Sequence, residues 1–232
     1  MRKPLSIISF AGISLIVLST SCFAQQKDTI KIQEGFVGMV GYGSLMSLKS
    51  MESTLGHQYS DSSYLIHLKG FIRAWTSYRP LNNPMANDPK APQFYGFILQ
   101  NNDSIPFDGI VQLNVESQEN SKINCILYLI SKEDIINFDK REIGYKRIDV
   151  TDRVEEYTIT GGRVYVYQQA PNYYDKTTLN LAKFILIEDY VNMITQICDG
   201  IGENFRIEFD KSTVQPSSQV VPSQKIGWKI VK

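Results

Sequence analysis

Val40-Gly41-Tyr42-Gly43-Ser44-Leu45 is the stretch from which the rest of this chain can be read. An apolar, strand-like run, Phe36 to Tyr42, closes on two glycines flanking a tyrosine, and a serine follows at once. Glycine accepts backbone conformations that other residues resist, so such a turn at a strand end lets N–H groups approach a small anionic ligand. Further along comes Phe138-Asp139-Lys140-Arg141-Glu142-Ile143-Gly144-Tyr145, an acidic and basic cluster running into a Gly-Tyr pair.

The first residues read as an export signal. Arg2 and Lys3 form a basic start, Leu5 to Leu18 an apolar run, and small residues follow. That run is shorter than the ~20 residues a bilayer span requires. Two processing sites compete. Cys22-Phe23-Ala24 fits a signal-peptidase site, making 1–24 a signal peptide with Gln25 as the mature N-terminus. Leu18-Ser19-Thr20-Ser21-Cys22 resembles a relaxed lipobox, making 1–21 a lipoprotein signal with Cys22 lipidated. Either way the expectation is an exported protein of the periplasm or cell envelope, touching membrane only through a lipid anchor at Cys22.

The whole chain carries 24 basic and 24 acidic residues. Removing residues 1–24 takes away Arg2 and Lys3 and no acid, so the folded part is close to neutral and gives no reason to expect a nucleic-acid partner. What remains suits one domain, 25–212, followed by a C-terminal arm, 213–232, whose Ser-, Gln- and Pro-rich stretch Thr213–Gln224 is expected to be loosely held. Cys22, Cys125 and Cys198 are isolated, with no Cys-x-x-Cys pair. Pairing of Cys125 with Cys198 and two buried free thiols both stand open.

Runs rich in Val, Ile, Tyr and Phe predict strands at Phe36–Tyr42, Ser63–Ser77, Gln93–Leu99, Gly109–Val115, Ile123–Ile130, Arg147–Val154 and Arg163–Gln168. Ser131 with Asp134 three residues on predicts a capped helix carrying Ile135, Ile136 and Phe138 and ending near Gly144. A second helix is predicted from Leu179 to about Asp199, broken by Gly200 and Gly202. Pro80 to Pro92 reads as an irregular surface loop.

Common catalytic patterns are absent. Met46 occupies the position where a dinucleotide fingerprint requires glycine or alanine, Lys49 is misplaced for a P-loop, and no Gly-x-Ser-x-Gly elbow surrounds Ser44. Only His57 and His67 are present, with no His-x-x-x-His pair, so no metal or cofactor is expected. What the chain does offer is a backbone cradle at Tyr42–Leu45 and one carboxylate, Glu142, in an unusual setting. The cradle suits a carboxylate or oxyanion, and a neighbouring carboxylate can shuttle a proton. The plainer alternative makes Glu142 a surface residue paired with Lys140 or Arg141.

Val40–Leu45 resembles the Tyr-Gly-Ser-Leu loop of the γ-glutamylcyclotransferase-like superfamily, and Phe138–Tyr145 resembles its Leu-Asp-x-x-Glu-Gly-Tyr segment. Leu68-Lys69-Gly70-Phe71-Ile72-Arg73, Val164-Tyr165-Val166-Tyr167 and Tyr190 through Gly200 are similar to further family segments in the same order, over residues 36–210. The resemblance implies an α+β fold, a small mixed β-barrel flanked by helices, in an exported bacterial member. It implies that Tyr42, Gly43, Ser44 and Leu45 hold a γ-glutamyl unit, that Glu142 is the acid/base, and that Tyr145 orients Glu142 or substrate. The implied reaction closes the γ-glutamyl unit to 5-oxoproline and releases an amine or peptide, without cofactor. Two departures stand out: Tyr78-Arg79-Pro80-Leu81 replaces the Arg-Gly stretch of the glutathione-specific ChaC branch, and Ile143 separates Glu142 from Gly144. The rival readings are a binding protein using the same pocket without turnover, which predicts an exposed Glu142 far from Tyr42, and a structural envelope lipoprotein, which predicts no pocket there.

Overall fold

A computed structural model describes residues 27–82, 93–170 and 179–231; the expected signal segment with Cys22, and most of the loop ending at Pro92, lie outside the described residues. The chain begins with β1 (Asp28–Lys31), β2 (Phe36–Gly41), α1 (Leu48–Leu55) and the long β3 (Ser63–Pro80). Next come β4 (Gln93–Gln100), β5 (Asp103–Phe107), β6 (Gly109–Ser131), α2 (Ile135–Arg141), β7 (Tyr145–Asp149), β8 (Tyr157–Thr160) and β9 (Val164–Gln169). It ends with β10 (Phe184–Ile187), α3 (Glu188–Ile201), α4 (Glu203–Lys211), β11 (Thr213–Val214), β12 (Val220–Val221) and β13 (Ile226–Val231).

The architecture is α+β. The main sheet is mixed, in the order β11-β3-β6-β2-β9-β7, with β10 joined to β6 and β12 to β10. β2 runs antiparallel to β6 and parallel to β9. Its two faces are enclosed, which is why Val37, Met39, Val40 and Gly41 form an unbroken buried run instead of alternating with polar residues. A parallel pair β1–β8 and an antiparallel sheet β13-β4-β5 complete the strands. The helices dock through residues spaced by one turn: Met51 and Leu55 on α1, Ile194 and Cys198 on α3, Phe205 and Phe209 on α4.

Several expected elements take a different form. Gly109–Val115 and Ile123–Ile130 are one strand, β6, within which Gln118 to Ser121 loop out opposite Gly70. Leu179–Asp199 is not one helix. Phe184–Ile187 is a short buried strand, because apolar residues at four successive positions suit an element enclosed on both sides, and the helix starts only at Glu188. The segment 213–231 is not a loose arm. β11 pairs with β3, β12 with β10 and β13 with β4 over six residues, and Val221 is buried. Cys125 and Cys198 are both free and buried.

Arg73, on β3, is completely buried. Its Nε donates to the Tyr42 carbonyl at 2.9 Å, Nη1 to Thr213 Oγ1 at 3.1 Å and Nη2 to the Asn124 carbonyl at 2.5 Å, while the guanidinium lies 4.0 Å from the centroid of the Phe209 ring. Replacing Arg73 with leucine leaves the Tyr42 and Asn124 carbonyls short of a donor, and a buried unsatisfied acceptor costs about 1–3 kcal/mol. Urea unfolding of Arg73→Leu is expected to show a stability loss of about 2–4 kcal/mol; an unshifted midpoint would mean that these bonds contribute nothing net.

Candidate active site

The loop after β2 is tightly turned. A Cβ on Gly41 would lie 2.5 Å from the Leu45 carbonyl oxygen, so no larger residue fits without moving backbone. Ser44–Met46 then form a single 3-10 turn, closed by Met46 N–H donating to Gly43 O at 2.9 Å and Ser47 N–H to Ser44 O at 3.2 Å. The N–H groups of Ser44 and Leu45 precede these bonds and have no acceptor among the described residues. A Cβ on Gly43 would meet nothing closer than 3.7 Å, the nearest atoms belonging to Leu113 and Tyr190, so the missing side chain leaves open space in a cavity.

Glu142 reaches that cavity from the other side. Ile135 and Phe138 bury one face of α2, and Glu142 is the residue on which the helix ends, its N–H donating to Phe138 O at 2.8 Å. Gly144, at φ +91°, reverses the chain into β7, and Tyr145 N–H donates back to Glu142 O at 2.9 Å. Ile143 is exposed on the outside of this turn.

The cavity is about 120 Å³ and is lined by Tyr42, Gly43, Ser44, Leu45, Glu142 and Tyr145, all six residues expected from the sequence, together with Arg79, Gln112, Arg141, Tyr167 and Tyr190. Among the described residues, the carboxylates of Glu142 and Asp139 part company: Asp139 is held by Tyr167 Oη at 2.7 Å and Arg147 Nη1 at 3.1 Å and is not part of the lining. His67 is likewise engaged elsewhere, with Nδ1 2.5 Å from Glu156 and Nε2 3.0 Å from Glu208.

Arg141 is the member that sequence reasoning treated only as a surface partner of Glu142. Its Nε lies 3.2 Å from Glu142 Oε1, Nη2 donates to Ser44 Oγ at 3.1 Å and Ser50 Oγ at 2.9 Å, and Nη1 donates to Ser50 O at 3.1 Å. One guanidinium thus ties the carboxylate to the glycine loop and both to α1. Arg141 and Glu142 are neighbours in sequence, but the bond to Ser44 joins α2 to the 3-10 turn across 97 residues and has no local signature. Tyr145 Oη donates to Ser77 Oγ and, at 3.3 Å, to the Leu113 carbonyl.

Electrostatics follow from enclosure. Burial raises the Glu142 pKa above the ordinary carboxylate value, against the opposing pull of Arg141 and Arg79. Burial also pushes Tyr42 and Tyr190 well above the usual phenol value, so both enter as neutral hydroxyls. The site therefore offers one carboxylate biased toward accepting a proton, two guanidinium groups, neutral phenols and free backbone N–H donors. That set can hold a small ligand with at least one negative group and move a proton on it.

No protein-family profile and no curated protein matches this chain. Among solved structures it is similar to one described as "Gamma-glutamyl cyclotransferase", with 12% identity, 80% of this chain and 94% of that chain covered, and a TM-score of 0.43. An uncharacterized Homo sapiens protein shares 13% identity over 81% of this chain and 95% of its own, with a TM-score of 0.42. An Arabidopsis thaliana protein solved in solution shares 16% over 66% and 69%, with a TM-score of 0.37.

A carboxylate whose pKa is raised by folding favours the native state in its protonated form, so this contribution to stability is present below the unfolded-state pKa and is lost as pH rises through the folded value. Glu142→Gln keeps the shape of the protonated acid and does not titrate. The thermal midpoint of Glu142→Gln relative to wild type is expected to be higher at pH 7.5 than at pH 4, as measured by circular dichroism. A difference that is constant with pH would place Glu142 in an ordinary solvated setting.

Proposed function

We propose that this protein is a γ-glutamylcyclotransferase-type enzyme, cyclising a γ-glutamyl amine or peptide to 5-oxoproline with Glu142 as general acid/base. The observation that carries the reading is the meeting of Glu142 and the Tyr42–Leu45 loop in the wall of one small cavity, with Arg141 bonded to both. The loop and carboxylate are the two segments whose sequence resembles that superfamily, and their juxtaposition is what the chemistry requires.

The reaction needs little machinery. The α-amine of the γ-glutamyl unit attacks its own γ-carbonyl carbon, a lactam C–N bond forms, and the original amide C–N bond breaks. Tethering nucleophile to electrophile supplies several kcal/mol of the barrier once the chain is held in the cyclising rotamer. Glu142 takes a proton from the α-ammonium and hands it to the departing nitrogen. A second proton leaves the attacking nitrogen as the lactam forms, so the amine departs as an ammonium ion. Backbone N–H groups of Ser44 and Leu45 receive the α-carboxylate, and the neutral Tyr42 and Tyr190 hydroxyls give the pocket polar contacts without adding charge. A carboxylate with a raised pKa suits both halves of the transfer.

The same reading makes the protein exported, as its N-terminal sequence indicates, and its substrate a small γ-glutamyl compound of the envelope or surroundings. The test is 5-oxoproline release by the purified mature protein from γ-glutamyl dipeptides, γ-glutamyl amines and glutathione. Glu142→Gln is expected to lower kcat by about 100-fold or more while substrate binding, measured by calorimetry, largely persists. Unchanged turnover in that variant would remove Glu142 from the mechanism. Binding without turnover in the wild type would leave a ligand-binding protein that uses the same pocket.

A further inference from the structure

The geometry points to Arg79 as a specificity residue: its guanidinium receives a second carboxylate, on the amine portion of the substrate, so the pocket selects γ-glutamyl-α-amino acids and peptides with a free carboxylate over simple γ-glutamyl amines. This inference rests on the cyclotransferase reading and adds to it the chemistry of the leaving group.

Arg79 lines the same cavity as Glu142 and is near enough to oppose the rise that burial gives its pKa. The two arginines of the lining are differently engaged. Arg141 is committed to Glu142, Ser44, Ser50 and Thr54. Arg79 donates one N–H, from Nη1, to Gln112 Oε1 at 3.2 Å, and no carboxylate of the described residues lies within salt-bridge distance of it. A guanidinium has five donors in a fork that fits a carboxylate bidentately, so most of this fork is left for a ligand. Among the described residues the lining holds two cationic groups against one carboxylate, and its occupant is therefore expected to carry more negative charge than the zwitterionic head of a γ-glutamyl unit supplies.

Position decides which carboxylate Arg79 meets. The Tyr42–Leu45 loop follows β2, whereas Arg79 stands on β3, opposite Ile110 of β6, and β6 separates the two strands in the sheet. Two inter-strand spacings amount to about 10 Å. The α-carboxylate and the carboxylate of a released amino acid lie roughly 7 to 9 Å apart in a γ-glutamyl dipeptide, from ordinary bond lengths, and the flexible arginine stem closes the difference. With the first carboxylate at the free N–H groups of the loop and the α-ammonium at Glu142, the second falls on the Arg79 side. A γ-glutamyl amine has nothing to place there and leaves the guanidinium with its bond to Gln112 but no carboxylate.

The test compares γ-glutamylalanine with γ-glutamylmethylamide on wild type, Arg79→Met and Arg79→Lys. Wild type is expected to prefer the dipeptide by about 30-fold in kcat/KM, the size of a hydrogen-bonded contact to a charged group. Arg79→Met is expected to bring that ratio near unity. It loses activity toward the dipeptide chiefly through KM and changes the methylamide by no more than a few-fold through the altered potential at Glu142. Arg79→Lys, which keeps the charge without the fork, should fall between. The wild-type ratio needs no variant to fold: a wild type indifferent to the carboxylate overturns the inference. Equal losses on both substrates in Arg79→Met also overturn it, since Arg79 would then serve the γ-glutamyl head, while the cyclotransferase reading stands. If neither compound is turned over, that reading fails, and calorimetric binding of the same two compounds decides the Arg79 inference: Arg79-dependent preference for the dipeptide supports it, equal or no binding overturns it.

Discussion

Arg73 brings a guanidinium into the interior, among the described residues without a carboxylate within salt-bridge distance, and the arrangement around it sets the position of almost everything else. Burial of a charge is costly unless its donors are satisfied, and here they are met by carbonyls and hydroxyls from four directions: the loop after β2, the centre of β6, the end of α4 and the start of β11. Burial pulls its pKa below the ordinary arginine value, although an arginine remains charged under any physiological condition. Because the acceptors are backbone and hydroxyl oxygens, the guanidinium keeps its net charge beneath the loop while fixing the Tyr42 carbonyl. The glycine loop is therefore held from below by Arg73 and from the side by Arg141.

This double hold explains how a short, glycine-bearing loop can serve as one wall of a site. Gly41 allows a turn so close that the Leu45 carbonyl occupies the place of its missing side chain, and the loop would be mobile if nothing gripped it. Tyr128 Oη, donating to the Met46 carbonyl at 2.9 Å, anchors its far end. Preorganised donors stabilise charge without the cost of reorganising at the moment of reaction, and that is worth more in an enclosed site than in water. The same enclosure raises the proton affinity of Glu142, so the hold on the loop and the shifted carboxylate have a common origin in packing.

Along the strand β9 the two uses of an apolar run are separated residue by residue. Val164 and Val166 are buried in the core, Tyr165 lies under Arg147, and Tyr167 turns to the cavity while its hydroxyl holds Asp139. Asp139 and Glu142 are three residues apart and chemically alike, yet one is bound away from the cavity and the other lines it, because α2 ends between them. Residues three apart share a face of a continuing helix, so it is the end of α2 at Arg141, with Glu142 leaving helical geometry at ψ 44°, that separates the two carboxylates.

The sequence alone determined the short-range features: β2 and its glycine turn, most of the strands, the helix that starts beyond Ser131, and the two segments whose residues line the cavity. These are legible because turn chemistry, capping and apolar runs act within a few residues of their cause. Tertiary structure alone decided that β6 is a single strand, that Phe184–Ile187 is buried strand instead of helix, and that β11 to β13 are woven into the sheets. Each of these outcomes depends on which strand lies alongside, and pairing partners far apart in sequence leave no local mark. For the same reason the roles of Arg73, Arg79 and Arg141 emerged only from the folded chain. An arginine in a sequence is a charge, and only the surrounding acceptors determine whether it supports a loop, orients a carboxylate or waits for a ligand.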